Sequence, residues 1–338
     1  MTSLPAEPAS DPADEPLADG SAADGPLVDG PAADAEPRQR RPTLRSDLRA
    51  SIPDGVIALI VTAAVFALLY VRIRAETSST VSVMPFMTDT SEFWMYFLSQ
   101  AFGWSALLWA WITVVLGLLL SGSRPSWLRL SGPRLERLHR TTSLNTIALI
   151  VAHALFFAAQ LVYSDTARWH SAIGTAFVET FVPGGYDSGT GKLAIPLGQA
   201  ALYLAIPLGL LFYVRHRIGP KTWRVLHRFV IAVYVLSIWH TLLYGTNVWY
   251  DGLFRNTIWL LQLPIAALLL LRLLKPARRS EKLRGPRGGS PAAWALRLTG
   301  RLAVVGVIAA LIGVLVSGND GGRTVAPEDT SSSHNDHD

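Results

Sequence analysis

The chain has 338 residues; half are hydrophobic, only 16% are charged, and the formal net charge is +5. A soluble domain carries nearer a quarter charged residues, so this composition excludes an ordinary soluble enzyme and points to helices dissolved in lipid. There is no cysteine, which excludes disulfides, iron–sulfur clusters, thiolate metal sites and cysteine nucleophiles.

Residues 1–37 hold nine acidic residues and a short repeat, LADG, AADG, LVDG and AADA between 17 and 35. Such a segment cannot bury enough apolar surface to offset the entropy of ordering it, so a disordered tail is expected. It does not read as a signal peptide, because the first apolar run begins only after residue 50. Arg38, Arg40, Arg41, Arg45 and Arg49 form a basic collar ahead of that run.

Seven apolar stretches follow, at 55–71, 97–120, 141–163, 193–214, 227–244, 256–274 and 302–317. About 20 residues of helix cross the hydrocarbon, and backbone groups there must be satisfied internally, so each stretch predicts a helix. Pro196, Pro207 and Pro264 should bend the fourth and sixth. With the N-terminus in the cytoplasm, inner segments carry 24 Lys and Arg and outer segments carry 6, which favours an N-in, C-out topology. The positive charge therefore reads as a membrane signal, with no nucleic acid expected. Trp94, Trp127, Trp223 and Trp249 fall near predicted helix ends, as interfacial anchors do.

The expected fold class is an all-α integral membrane protein. A tail with its collar occupies 1–50, a six-helix unit 51–276, a basic linker 277–295, a seventh transmembrane helix 296–318 and a disordered outer tail 319–338.

Ionisable residues are almost absent from the interior of the apolar stretches, and His153 and His240 are the exceptions. Each has a second histidine nearer the cytoplasmic end of its own helix, His139 and His227. A buried ionisable side chain in lipid is costly and marks function by default. One membrane histidine is readily a packing residue; two matched pairs are harder to explain so. The third and fifth helices run in the same direction, so His139 and His227 share an inner level while His153 and His240 share an outer one. Two imidazoles facing each other at one level can ligate the iron of a planar tetrapyrrole from both faces. Without cysteine to bond them, two such groups would be non-covalent b-type haems. One detail resists: 14 residues keep His139 and His153 on roughly one helix face, whereas the 13 between His227 and His240 fall about 140° short of four turns. A distortion of the fifth helix, a strong tilt, or mutually rotated haems would each accommodate this.

The segments RLHRTTSLNTIALIVAH (137–153) and WRVLHRFVIAVYVLSIWH (223–240) resemble the ferric reductase-like transmembrane domain superfamily. That group includes NADPH oxidases, ferric reductases, STEAP metalloreductases and the haem-bearing membrane subunit of the bacterial methionine sulfoxide reductase system. The resemblance spans roughly 56–275 and implies that His139 and His227 hold an inner haem b, and His153 and His240 an outer one. It also implies that unequal spacings of 14 and 13 are normal for two haems. Localisation in a bacterial plasma membrane is expected.

Two features depart from the pattern. No G-x-G-x-x-G or P-loop is present, so no flavin or NADPH domain is expected, and the electron donor would be a separate flavoprotein or a membrane quinol. The seventh helix also lies outside the six-helix pattern. Arg137, Arg140, Arg224 and Arg228 flank the inner histidines. Arg140 and Arg228 suit haem propionates, although the positive-inside rule alone also places arginine here. Tyr234, Phe156 and Phe157 between the two levels read as packing first. His170, His216, His334 and His337 read as loop, interface and tail residues. The competing reading is a histidine-relay proton or ion transporter, which predicts intramembrane carboxylates; none is expected between the helix ends.

Overall fold

The computed structural model describes residues 42–122, 129, 131–164, 169–275, 291–318, 320 and 322–323. Among them the chain is helical, with no strand beyond an isolated parallel bridge between Tyr250 and Arg323. Seven helices are long and apolar enough to cross a membrane: Ile52–Arg74, Trp94–Ser121, Gly132–Ser164, Gly191–Ile218, Pro220–Tyr244, Leu253–Leu274 and Leu298–Ser317. Each predicted stretch falls within one of them, and most extend past the apolar run at one or both ends. The outward faces are apolar; Val307 is 64% and Val316 82% exposed, a surface that suits lipid and not water.

Helix α1 (Leu44–Ala50) lies in what the sequence places at the end of the tail. A capping box explains its order: the Thr43 hydroxyl accepts from the Ser46 N–H, and the Ser46 hydroxyl accepts from the Thr43 N–H. Its buried Asp47 then accepts from Arg140 (2.9 Å) and from Tyr213 (3.0 Å), tying α1 to two later helices. The rest of the expected tail, the linker 277–290 and residues 324–338 lie outside the described residues.

Helices α2 (Ile52–Arg74), α4 (Trp94–Ser121) and α5 (Gly132–Ser164) pack side by side; the short α3 (Ser79–Val83) lies in the loop between α2 and α4. Small polar groups cross-link them where apolar packing alone would leave register loose. Thr62 donates to Ser105 (2.8 Å), and Thr113 and Thr146 lie 3.4 Å apart. Asp54, placed ahead of the first span by the sequence reading, lies inside α2. Its carboxylate accepts from the Trp109 indole (3.2 Å) and the Asn145 amide (2.6 Å). This corrects the expectation of no carboxylate between the helix ends: the helix starts at Ile52, earlier than the apolar run suggests.

After α6 (Trp169–Phe181), helix α7 (Gly191–Ile218) continues unbroken through Pro196 and Pro207. The fifth span is interrupted instead. Helix α8 (Pro220–Arg228) ends at Phe229 and α9 (Val230–Tyr244) begins beyond it. There the Phe229 N–H reaches the Leu226 carbonyl and the Ala232 N–H the Phe229 carbonyl, three residues back rather than four. Such tighter turns advance about 120° per residue instead of 100°, so they carry His227 and His240 toward a common face. Of the three accommodations considered from the sequence, the distortion is present. The sixth span divides likewise, α10 (Leu253–Leu260) and α11 (Gln262–Leu274) meeting at Leu261. Pro264 lies just after that interruption, in the first turn of α11, where its missing N–H is least costly.

Helix α12 (Pro291–Ser317) packs chiefly against α10 and α11, and described residues just beyond it are held by polar contacts. Asp320 accepts from the buried Arg255 Nε (2.6 Å) and the Trp259 indole (2.7 Å). Arg255 also donates to the carbonyls of Leu242, near the C-terminal end of the fifth span, and Val248, just beyond it. Arg323 lies 3.5 Å over the Trp249 ring. The Asp320 carboxyl sits below its ordinary 3.8: burial opposes this, but the Gly322 N–H, Arg255 and Trp259 outweigh it. Because the folded value is depressed, the clasp's contribution is complete above the unfolded value and fades as pH falls through the folded one. Asp320→Asn leaves Arg255 buried without its countercharge, so limited trypsin digestion at Arg323 in detergent should run roughly tenfold faster or more than in the parent. An unchanged rate would contradict the clasp.

Candidate functional site

All four histidines project from α5, α8 and α9 toward one another in two pairs. The ring centres of His139 and His227 lie 5.9 Å apart with planes at 89°, and those of His153 and His240 lie 6.1 Å apart at 74°. A metal bridging two rings imposes a definite separation. Two metal–imidazole bonds of about 2.0–2.1 Å, each extended by about 1.1 Å from nitrogen to ring centre, require about 6.2–6.4 Å. Both pairs are close to that separation.

Three of the four rings share one mode of support. The Nδ1–H of His153 donates to the Ser99 carbonyl (2.8 Å), that of His139 to the Thr113 carbonyl (3.0 Å), and that of His240 to the Ala194 carbonyl (2.8 Å). A carbonyl only accepts, so Nδ1 carries the hydrogen and Nε2 keeps its lone pair for a metal. One turn beyond each of these carbonyls is a glycine: Gly103, Gly117 and Gly198. A Cβ on them would lie 3.0 Å from His153, 3.0 Å from His139 and 2.8 Å from His240. The carbonyl already serves its own helix, and the missing side chain one turn on is what lets the imidazole reach it. Ser99 and Gly103 stand 14 residues before Thr113 and Gly117, matching the 14 residues from His139 to His153 on the antiparallel neighbour. This repeat, legible in the sequence, is the signal that reading histidines alone passes over.

The outer pair borders a cavity of about 1170 Å³ including its open mouth, lined by Gly103, Trp104, Leu107, Phe157, Gly198 and Leu202 among others. Among the described residues no Lys or Arg lines it. Among the described residues no cluster of three or more His, Cys, Asp or Glu could hold a bare metal ion. Two protein ligands per iron are enough only when a macrocycle supplies the other four. The spacing, the ring tautomers and the glycine seats therefore fit a bis-imidazole haem.

The remaining sequence candidates divide. Arg140 is engaged within the chain, by Asp47 and by Glu136 (2.8 Å), so its guanidinium serves α1 as well as any propionate. Arg228 ends α8. Trp223, expected as an interfacial anchor, stacks on His227 with ring centres 5.3 Å apart. Tyr234 donates to Gln262, and Phe156 stacks on Phe102. His170 lies on α6 and His216 in the last turn of α7, away from both pairs. Trp127, His334 and His337 lie outside the described residues.

A methyl group at Gly198 would press on His240 and cost about 1–3 kcal/mol. Gly198→Ala should thus lower the thermal midpoint in detergent, while Gly306→Ala on α12, where a Cβ meets nothing, should not. Equal midpoints for the two variants would contradict the seat.

Residues 102–238 match the family model of the ferric reductase like transmembrane component. The match is narrower than the 56–275 expected; it takes in His139, His153 and His227 and stops two residues short of His240. No curated protein and no solved structure matches the chain. With seven helices long and apolar enough to cross a bilayer, the molecule is an integral membrane protein, and its residues 102–238 are similar to the ferric reductase like transmembrane component.

Proposed function

We propose that this protein carries electrons across a membrane through two stacked b-type haems, from a cytoplasmic or quinol donor to an acceptor on the outer side. Supporting this most directly are the two imidazole pairs, each spaced for one metal between two rings. His139 and His227 would hold the inner haem, His153 and His240 the outer one. When bound, the haems supply one-electron iron chemistry. The chain's own residues do the rest. The carbonyls of Ser99, Thr113 and Ala194 hold three imidazoles in one tautomer and orientation and raise their basicity as ligands. Helix α5 spaces its two histidines by about 21 Å along the axis, one level near each membrane face. Apolar side chains, among them Trp104, Leu107, Phe157 and Leu202, line part of the cavity beside His153 and His240.

Because two histidines per iron leave no open position, the acceptor would take its electron at the macrocycle edge; ferric chelates, dioxygen or an outer redox protein suit this. The donor would be a separate flavoprotein or a quinol, with the six helices of 51–276 as the carrying unit. The excess of Lys and Arg on one side supports N-in, C-out. The relay alternative gains a carboxylate in Asp54, but that group is committed to Trp109 and Asn145 and bonds to none of the four histidines.

Proteoliposomes loaded with ferricyanide and given external dithionite test the reading. The parent should reduce the trapped oxidant, and His153→Ala or His240→Ala should slow this at least about 100-fold by removing one haem. Transfer at the parent rate in both variants would contradict it. The nearly perpendicular ring planes predict a second signature: electron paramagnetic resonance of the oxidised protein should show strongly anisotropic low-spin signals. A rhombic signal from parallel imidazoles would contradict that geometry.

A further inference from the structure

Of the four imidazoles, His227 alone lacks the support the others share. Its Nδ1 is buried without a hydrogen-bond partner, as is the indole Nε1 of Trp223 stacked against it. The reason lies in α7. Ala194 and Gly198 seat His240; the residues 14 further along, where the inner partner would sit, are Leu208 and Phe212. A shift of 13 gives Pro207 and Leu211, again without glycine. Gly209, the nearest glycine, approaches Ile147 and Ser143, not His227. The bulky ring of Phe212, edge-on to Trp223, stands where a seat requires an absent side chain. His227 also lies two residues before the interruption at Phe229, so the backbone carrying it has a hinge that the backbone under His139 and His153 lacks. Two features thus coincide: the missing glycine seat, which leaves no carbonyl on Nδ1, and an adjacent helix break.

Resting on the haem assignment above, we infer that His227 is the exchangeable axial ligand, and that the inner iron binds a small neutral π-acceptor of the carbon monoxide class. Exchange would break the bond that His227 Nε2 makes to a bound haem and put one to the incoming carbon in its place. No electron is transferred, and the released imidazole keeps its Nδ1 hydrogen. Losing the partner of a ligating histidine weakens its hold on the metal by roughly 10–100-fold, whereas the outer iron keeps two seated ligands.

Carbon monoxide titration of the full-length, dithionite-reduced protein, followed by its absorption spectrum, tests this. The haem assignment is checked first by the spectrum without carbon monoxide; a colourless protein defeats that assignment and is distinct from any outcome below. With two haems present, one carbon monoxide per chain is expected. His240→Ala, which keeps the inner haem, should still bind it, and His139→Ala, which keeps the outer haem, should not. Trp223→Leu, which removes the stack on His227, should tighten binding roughly tenfold. No binding by the two-haem parent, or binding retained after the inner haem is lost, would overturn the inference. The parent's stoichiometry and the Trp223→Leu titration decide the matter even if a histidine variant does not fold.

Discussion

A carbonyl inside an α-helix keeps one lone pair after its bond to the N–H four residues on, and an imidazole reaches it only where the side chain one turn on is absent. In this bundle that geometry occurs three times, at Ser99 with Gly103, Thr113 with Gly117 and Ala194 with Gly198. Each occurrence fixes the distance between two helices, the tautomer of one histidine and the depth at which its ring lies. An unpaired polar group in lipid costs several kcal/mol, so these positions are strongly determined. The close approach of α4 to α5, and of α7 to α9, is the packing consequence.

Around this constraint the other polar contacts serve assembly. Thr62 with Ser105 and Thr113 with Thr146 set the register of neighbouring helices where lipid offers no hydrophobic driving force between them. Asp47 and Asp54 pin the α1–α2 corner to α5 through Arg140 and Asn145. At the opposite end, Asp320 and Arg255 tie the segment beyond α12 to the loop that follows His240. The seventh helix lies outside the six-helix pattern, yet it has a physical role, since it delivers Asp320 to the buried Arg255.

Much of this was legible in the chain itself, for identifiable reasons. Long apolar runs broken by clustered Arg reveal spans because the bilayer admits little else. His139, His153, His227 and His240 stood out because ionisable side chains are nearly absent around them. What the sequence obscured was local. The start of α2 lies ahead of its apolar run, so Asp54 was misplaced outside it. Prolines suggested bends in the fourth and sixth spans; the sixth is interrupted at Leu261, close to Pro264, while the interruption of the fifth, at Phe229, has no proline near to signal it. Helix arithmetic alone could not choose among a distortion, a tilt and rotated cofactors; the three-residue bonds about Phe229 supply the distortion. The bond from Arg140 to Asp47 spans 93 residues and leaves no local signal in the sequence.

The central claim is that two levels of paired imidazoles each clasp one iron porphyrin. Alkaline pyridine extraction of the purified chain, produced with ample haem and quantified against its own peptide content, measures this directly. Two protohaems per chain are predicted; a ratio near zero, or one that stays at unity however much haem is supplied, would contradict the claim.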